Sequence, residues 1–231
     1  MPRPFRPTVV LVALTGVMCT LLAPAASAKV PKNPRHFSAA IEPNTAYVEQ
    51  DSCDPKPNRW GTTHLGNLLT TTYPGSTYYT SRPCDGSTSE HYDGRAIDWM
   101  VSARVPAQKA QAEAFAAWLL APDSYGNTTA MARRLGVMYI IFNSRMWGAW
   151  DGKWEEYNGC LHGKLKRKAY DNDCHRTHMH ISLSWNGARG KTTFWTGKVY
   201  PTDYGPCVPK GKKVAPKWIA PNRTGCPGQW H

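Results

Sequence analysis

Residues His178-Met179-His180-Ile181 alternate an imidazole with an apolar side chain, and no other short stretch constrains the fold as much. On a strand, side chains two apart leave the same face, roughly 6.6–6.8 Å from one another. His178 and His180 therefore project together, while Met179 and Ile181 face a core, in a strand predicted over about 178–185. Packing gives little reason to line one face of a half-buried strand with imidazoles. A polar, solvated face is the plain reading of the alternation; a metal site is the sharper one.

A second segment decides how the first is read. In Ser89-Glu90-His91-Tyr92-Asp93-Gly94-Arg95-Ala96-Ile97-Asp98, the polar residues up to Gly94 form a loop. Arg95 to Val101 then reads as a strand, with Ala96, Asp98 and Met100 on one face and Ile97, Trp99 and Val101 on the other. The second face is wholly apolar and belongs to a core. Asp98, an acid among apolar neighbours, needs a reason. A glycine reversal between His91 and Asp98 brings an imidazole and a carboxylate onto one ion, and zinc accepts both donor types at roughly 2.0–2.2 Å. Taken alone, the pair also reads as a surface hydrogen bond. With His180 added, three protein ligands leave a fourth position open, which separates a catalytic zinc site from a structural one.

The remaining pattern predicts an α+β fold: a small antiparallel sheet bearing the zinc site, with helices packed on one side. A short helix is expected from Trp60 to Leu69, a turn at Tyr73-Pro74-Gly75-Ser76 and a strand at Tyr78-Tyr79-Thr80. Pro106 opens the clearest helix, through Leu120, since proline suits a first helical position. A second helix is expected over 127–135 with Gly136 as its C-cap, followed by a buried strand from Val137 to Phe142. Residues 148–176 read as a long irregular excursion. Trp147, Trp150 and Trp154 line a groove or fill a core.

Arg3, Arg6, the apolar run Val9–Leu22 and Ala26-Ser27-Ala28 read as a secretory signal peptide over 1–28. The run is shorter than the roughly 20 residues a membrane span needs. An extended segment over 29–50, one domain over 51–200 and a cysteine-bearing tail over 201–231 follow. Six cysteines remain after the signal, an even number that reads as disulfides in an exported chain; the expected pairs are 53–84, 160–174 and 207–226. A net charge of +12 draws such a chain to polyanions. Charge alone leaves wall polymers, an anionic membrane surface and extracellular nucleic acid open, and the basic runs 164–168 and 210–213 read as solvated loops. Anionic wall polymers are the expected partner, with no specific nucleic acid and no transmembrane segment after signal removal, and the chain is expected to be a monomer.

The run 89–98 fits S-x-H-x-x-G-x-A-x-D at every fixed position and so resembles the hedgehog/D-alanyl-D-alanine zinc peptidases and their murein-endopeptidase relatives. Residues 139–147 and 175–183 are further similar to a group of secreted actinobacterial proteins, the ARB-07466-like C-terminal domains. The resemblance covers roughly residues 50–207. It implies one Zn2+ per chain held by His91, Asp98 and His180, with His178 assisting proton transfer as the catalytic residue. The implied activity is cleavage of a peptidoglycan peptide, a stem or a cross-link, outside the cell. Arg82 resembles the arginine that clamps a substrate carboxylate, and Arg145 is a second candidate for substrate binding. His175 and Ser89 are expected to support the ligands. Two departures stand out. The carboxypeptidase branch has a glutamate three positions before the last ligand, where this chain has Thr177, so His178 must serve as base. Relatives with the H-x-H pair often carry an acid at that same position. A non-catalytic zinc-stabilised wall-binding module is the alternative, since fold alone does not guarantee activity. A secreted metal-dependent nuclease is the second.

Overall fold

The computed structural model describes residues 29–50 and 58–205. The expected signal peptide, Cys53 and the 207–226 pair lie outside the described residues. Helix α1 spans Trp60–Thr72, three residues past its expected end. Thr70 and Thr72 return their hydroxyls to the carbonyls of Gly66 and Leu68, and the chain leaves the helix at Tyr73, the residue before Pro74, where helical geometry is sterically disfavoured. Helix α2 spans Pro106–Leu120 as expected and stops one residue before Ala121-Pro122 for the same reason. Helix α3 begins at Ala130, not at 127, and ends at Leu135 with Gly136 left-handed as its cap. Asn127 is occupied instead by Asp123, which accepts both its backbone and its side-chain N–H. Helices α4 (Trp185–Arg189) and α5 (Thr193–Thr196) are single turns.

Six strands form one antiparallel sheet: β1 (Tyr78–Tyr79), β2 (Ala96–Trp99), β3 (Val137–Phe142), β4 (Arg145–Gly148), β5 (Trp154–Glu156) and β6 (Met179–Leu183), in the order β1-β2-β6-β3-β4-β5. The 148–176 stretch is thus less irregular than its composition suggests. It carries β5 and two 3-10 turns. Asn143 and Ser144 both take positive φ, 49° and 69°, which is the two-residue hairpin turn whose twist suits paired strands.

One face of the sheet is the main core. Ile97, Trp99, Ile140, Met179 and Ile181 meet Leu65 and Leu69 of α1, Phe115 of α2, Leu135 of α3 and Phe194 of α5. Trp147 is buried there at 2% exposure, so it packs the core; Trp150 and Trp154 stay exposed. The opposite face carries a smaller cluster of Val48, Met138, Tyr139, Ile141 and Trp185. A β-bulge between Val137 and Tyr139 puts Met138 and Tyr139 on that face together, which strict alternation forbids. The extended segment 29–50 supplies Val48 to this cluster. It is also bound from beneath: Arg95 Nη2 donates to the carbonyls of Val48 and Glu49 at 3.0 Å each.

Candidate metal centre

Asp98 on β2 and His180 on β6 are direct cross-strand partners, so the sheet register alone sets two of the expected ligands side by side. The third arrives from the 3-10 turn Glu90–Asp93. The Ser89 hydroxyl caps that turn by accepting the His91 N–H, and left-handed Gly94 (φ 75°) ends it. Thr62 of α1 holds the Gly94 carbonyl at 2.9 Å. The outcome is a compact triangle: His91 Nε2 to Asp98 Oδ1 3.1 Å, His180 Nδ1 to Asp98 Oδ1 3.0 Å, and His91 Nε2 to His180 Nδ1 3.2 Å. A tetrahedral zinc site with bonds near 2.0–2.1 Å has ligand–ligand edges of roughly 3.3–3.4 Å, close to all three. Among the described residues this is the group of donors able to hold a metal.

The surrounding hydrogen bonds fix which ring nitrogens are bare. His91 Nδ1 meets the Thr80 carbonyl, an acceptor only, so Nδ1 carries the proton. The Ser182 hydroxyl donates to Glu90 Oε2 at 3.2 Å, so it accepts from His180 Nε2–H at 2.8 Å. Both imidazoles therefore turn an unprotonated nitrogen toward the Asp98 carboxylate. Three lone pairs face one another with no proton between them, and a cation resolves that repulsion. Glu90, 2% exposed, also accepts the Tyr139 hydroxyl, and the Tyr139 ring stacks on His180 with centroids 5.4 Å apart.

Burial by itself would raise the Asp98 carboxyl. His180 and His91, where a ring proton takes the place of an ion between them and the carboxylate, outweigh it and hold the group well below the usual carboxylate range. Burial lowers His178, against the pull of Asp98. His175 is pushed down to about 2 by burial, with His180 and His178 adding to the shift. Both rings are neutral at physiological pH. His178 Nε2 lies 3.6 Å from Asp98 Oδ1, and its Nδ1 lies 3.0 Å from the Thr177 hydroxyl. That hydroxyl in turn reaches Asn172 Oδ1 at 3.4 Å. Thr177 thus orients the His178 ring without the charge an acid at its position would bring.

A cavity of about 500 Å³ opens over the triangle. Arg82, Ser89, His175 and His178 line it together with the three donors. The Arg82 guanidinium also lies over the Tyr92 ring at 5.3 Å. Arg145 is exposed at the start of β4, opposite Glu156, and does not line this cavity. Sequence reasoning missed Glu90, Tyr139 and Ser182. Ser182 had a signal, because it follows His180 by two and so shares its face. Glu90 and Tyr139 had none, since what marks them is a contact made across the sheet.

Residues 58–164 match the family model described as VldE, C-terminal domain. That stretch contains His91 and Asp98 and stops before β6, which carries His180. No curated protein and no solved structure matches the chain.

Proposed function

We propose that the chain is a zinc-dependent peptidase acting outside the cell on peptidoglycan peptides, with His91, Asp98 and His180 as ligands. The observation that carries the reading is the convergence of three unprotonated donors beneath an open cavity, two of them in the S-x-H-x-x-G-x-A-x-D run. The choice of zinc follows from two nitrogens and one carboxylate oxygen at tetrahedral spacing. A divalent ion there supplies Lewis acidity toward a carbonyl and a lowered pKa for water.

The chain's own side chains do the rest. His178, neutral and held through Nδ1 by Thr177, turns a bare Nε2 toward the centre, where it takes up a proton and, once charged, donates a hydrogen bond to a developing oxyanion. Arg82 offers a planar fork to a substrate carboxylate at the cavity wall. The resemblance in the 89–98 run supports a stem peptide or cross-link as substrate. Secretion is supported by the basic, apolar and small-residue pattern of 1–28 and by the Cys160–Cys174 disulfide.

The test is incubation of the zinc-loaded protein with purified stem-peptide fragments, counting new amino groups. Release that disappears in His178→Ala supports hydrolysis. Unchanged fragments with retained wall binding sink the enzyme reading in favour of a binding module, and nicking of supercoiled plasmid sinks it in favour of a nuclease.

A further inference from the structure

The stretch closed by the Cys160–Cys174 disulfide holds Lys164, Lys166, Arg167 and Lys168, four exposed cations within five residues. Among the described residues none of the four pairs with a carboxylate. Lys164 Nζ instead lies 5.9 Å over the Tyr170 ring. Asp171, the nearest acid in sequence, is taken by Arg104 and Arg176.

Like charges this close repel, and an ordinary surface loop relieves the repulsion by moving apart. This one is fastened. Arg176, 6% exposed, donates through Nη2 to the Leu165 carbonyl at 2.5 Å and the Arg167 carbonyl at 3.3 Å. Its Nη1 reaches the Cys160 carbonyl at 3.4 Å and the Ser144 hydroxyl at 2.7 Å. Arg104 Nη2 takes the Lys166 carbonyl at 3.4 Å. Three consecutive carbonyls of the basic run are therefore held by two guanidinium groups, those of Leu165 and Arg167 by buried Arg176 and that of Lys166 by Arg104 at the surface.

We propose that residues 160–174 form a pre-set platform for a phosphodiester-linked polymer that lacks bases, of the polyol-phosphate kind. A linear polyanion meets several cations at once and releases counterions as it binds. Fixing the cations beforehand removes the ordering cost a flexible basic tail would incur. Bases would find little to stack on: single-strand recognition interleaves cations with open aromatic faces, and of the two rings in the loop Tyr170 is half-buried beneath Lys164 and His162 is set 2.9 Å from the Glu156 carboxylate. The same loop runs on into Asn172, Asp173 and His175 of the cavity wall, so a polymer held on it keeps the cavity against the matrix that bears the polymer. The proposal uses no metal and stands apart from the peptidase reading.

The experiment measures binding of the full chain to poly(glycerol phosphate) over a series of salt concentrations. Joint replacement Lys164→Gln, Lys166→Gln, Arg167→Gln and Lys168→Gln is expected to weaken binding on the order of 10-fold or more and to flatten its salt dependence, with zinc affinity unchanged and the thermal midpoint no lower. The pair Cys160→Ser and Cys174→Ser keeps every charge and is expected to weaken binding at least about 2-fold, the least that re-ordering one long side chain costs. Binding by the four-fold variant equal to that of the unaltered chain overturns the proposal. So does a loss seen only on neutralising Lys210, Lys212 and Lys213, the basic run of the tail over 201–231, tighter binding to single-stranded DNA or phosphatidylglycerol vesicles than to the polymer, or full affinity in the serine pair. A chain that binds the polymer but no zinc removes only the metal reading.

Discussion

Glu90 stands one hydroxyl away from His180: Ser182 donates to the carboxylate at 3.2 Å and accepts from the imidazole at 2.8 Å. This relay holds the proton of His180 on Nε2 and leaves Nδ1 free for an ion. Carboxylates placed behind a ligating histidine orient it and raise its basicity, and their loss costs about 10–100-fold in metal affinity or activity. Glu90→Gln, similar in size and uncharged, is expected to weaken zinc binding by about that factor in a chelator competition. Unaltered affinity would reduce Glu90 to a packing role.

Asp98→Asn removes the anion on which both imidazoles converge. A ligand that binds only the folded state stabilises it by about 2.7 kcal/mol at one hundred times its dissociation constant. Zinc at that concentration is expected to raise the unfolding midpoint of the unaltered chain and to leave Asp98→Asn in place. Equal shifts in the two proteins would put the ion elsewhere.

Asp171 gives the basic loop a pH limit. Hydrogen bonds from Arg104, with Arg176 adding to them against the effect of burial, hold its carboxyl at about 2, below the ordinary 3.8. The folded-state value is the depressed one, so the stabilisation is complete above about pH 4 and is lost as pH falls toward 2. Amide protection across 160–174, taken against the intrinsic exchange rate at each pH, should fall over that interval in the unaltered chain. In Asp171→Asn it should already be low at pH 5. A loop equally protected at pH 5 and pH 2.5 would contradict this.

Helix α1 touches α4 backbone to backbone. A Cβ on Gly61 would lie 2.0 Å from the Gly187 carbonyl oxygen and 2.7 Å from the Gly190 nitrogen. Alanine favours a helix over glycine by about 1 kcal/mol, so the intrinsic effect of Gly61→Ala is stabilising. The clash is with main chain, which has no rotamer to yield, and overpacking of this kind costs about 1–3 kcal/mol. Net destabilisation is expected in denaturant titration; a more stable variant would mean the two helices stand apart.

The parts of the fold that repeat over a few residues were readable in advance. Pro106 to Leu120 and Val137 to Phe142 carry their own periodicity and punctuation, and the alternation around Asp98 and His180 set both side chains on one face before any pairing was known. What escaped was non-local. Ser182 and Glu90 are 92 positions apart, and no window along the chain contains both. The β3–β4 hairpin was hidden because its turn places a serine, Ser144, where glycine is the usual left-handed residue. Trp147 looked free to be exposed because β4 had not been recognised, and a strand there turns it into the core.

The segment 29–50 bears on where this domain can be cut. Its backbone takes the guanidinium of Arg95 at Val48 and Glu49, that of Arg134 at Ala40 and Ser38, and that of Arg133 at Glu42. The Glu42 carboxylate holds the backbone N–H of Thr193. A fragment begun at residue 58, where the family match starts, would take from Arg95 Nη2 both its carbonyl acceptors and from Arg134 two more, and would open to water two guanidinium groups that the whole domain buries. The packed unit is therefore wider than the stretch similarity delineates, and its contacts reach back to Ser38.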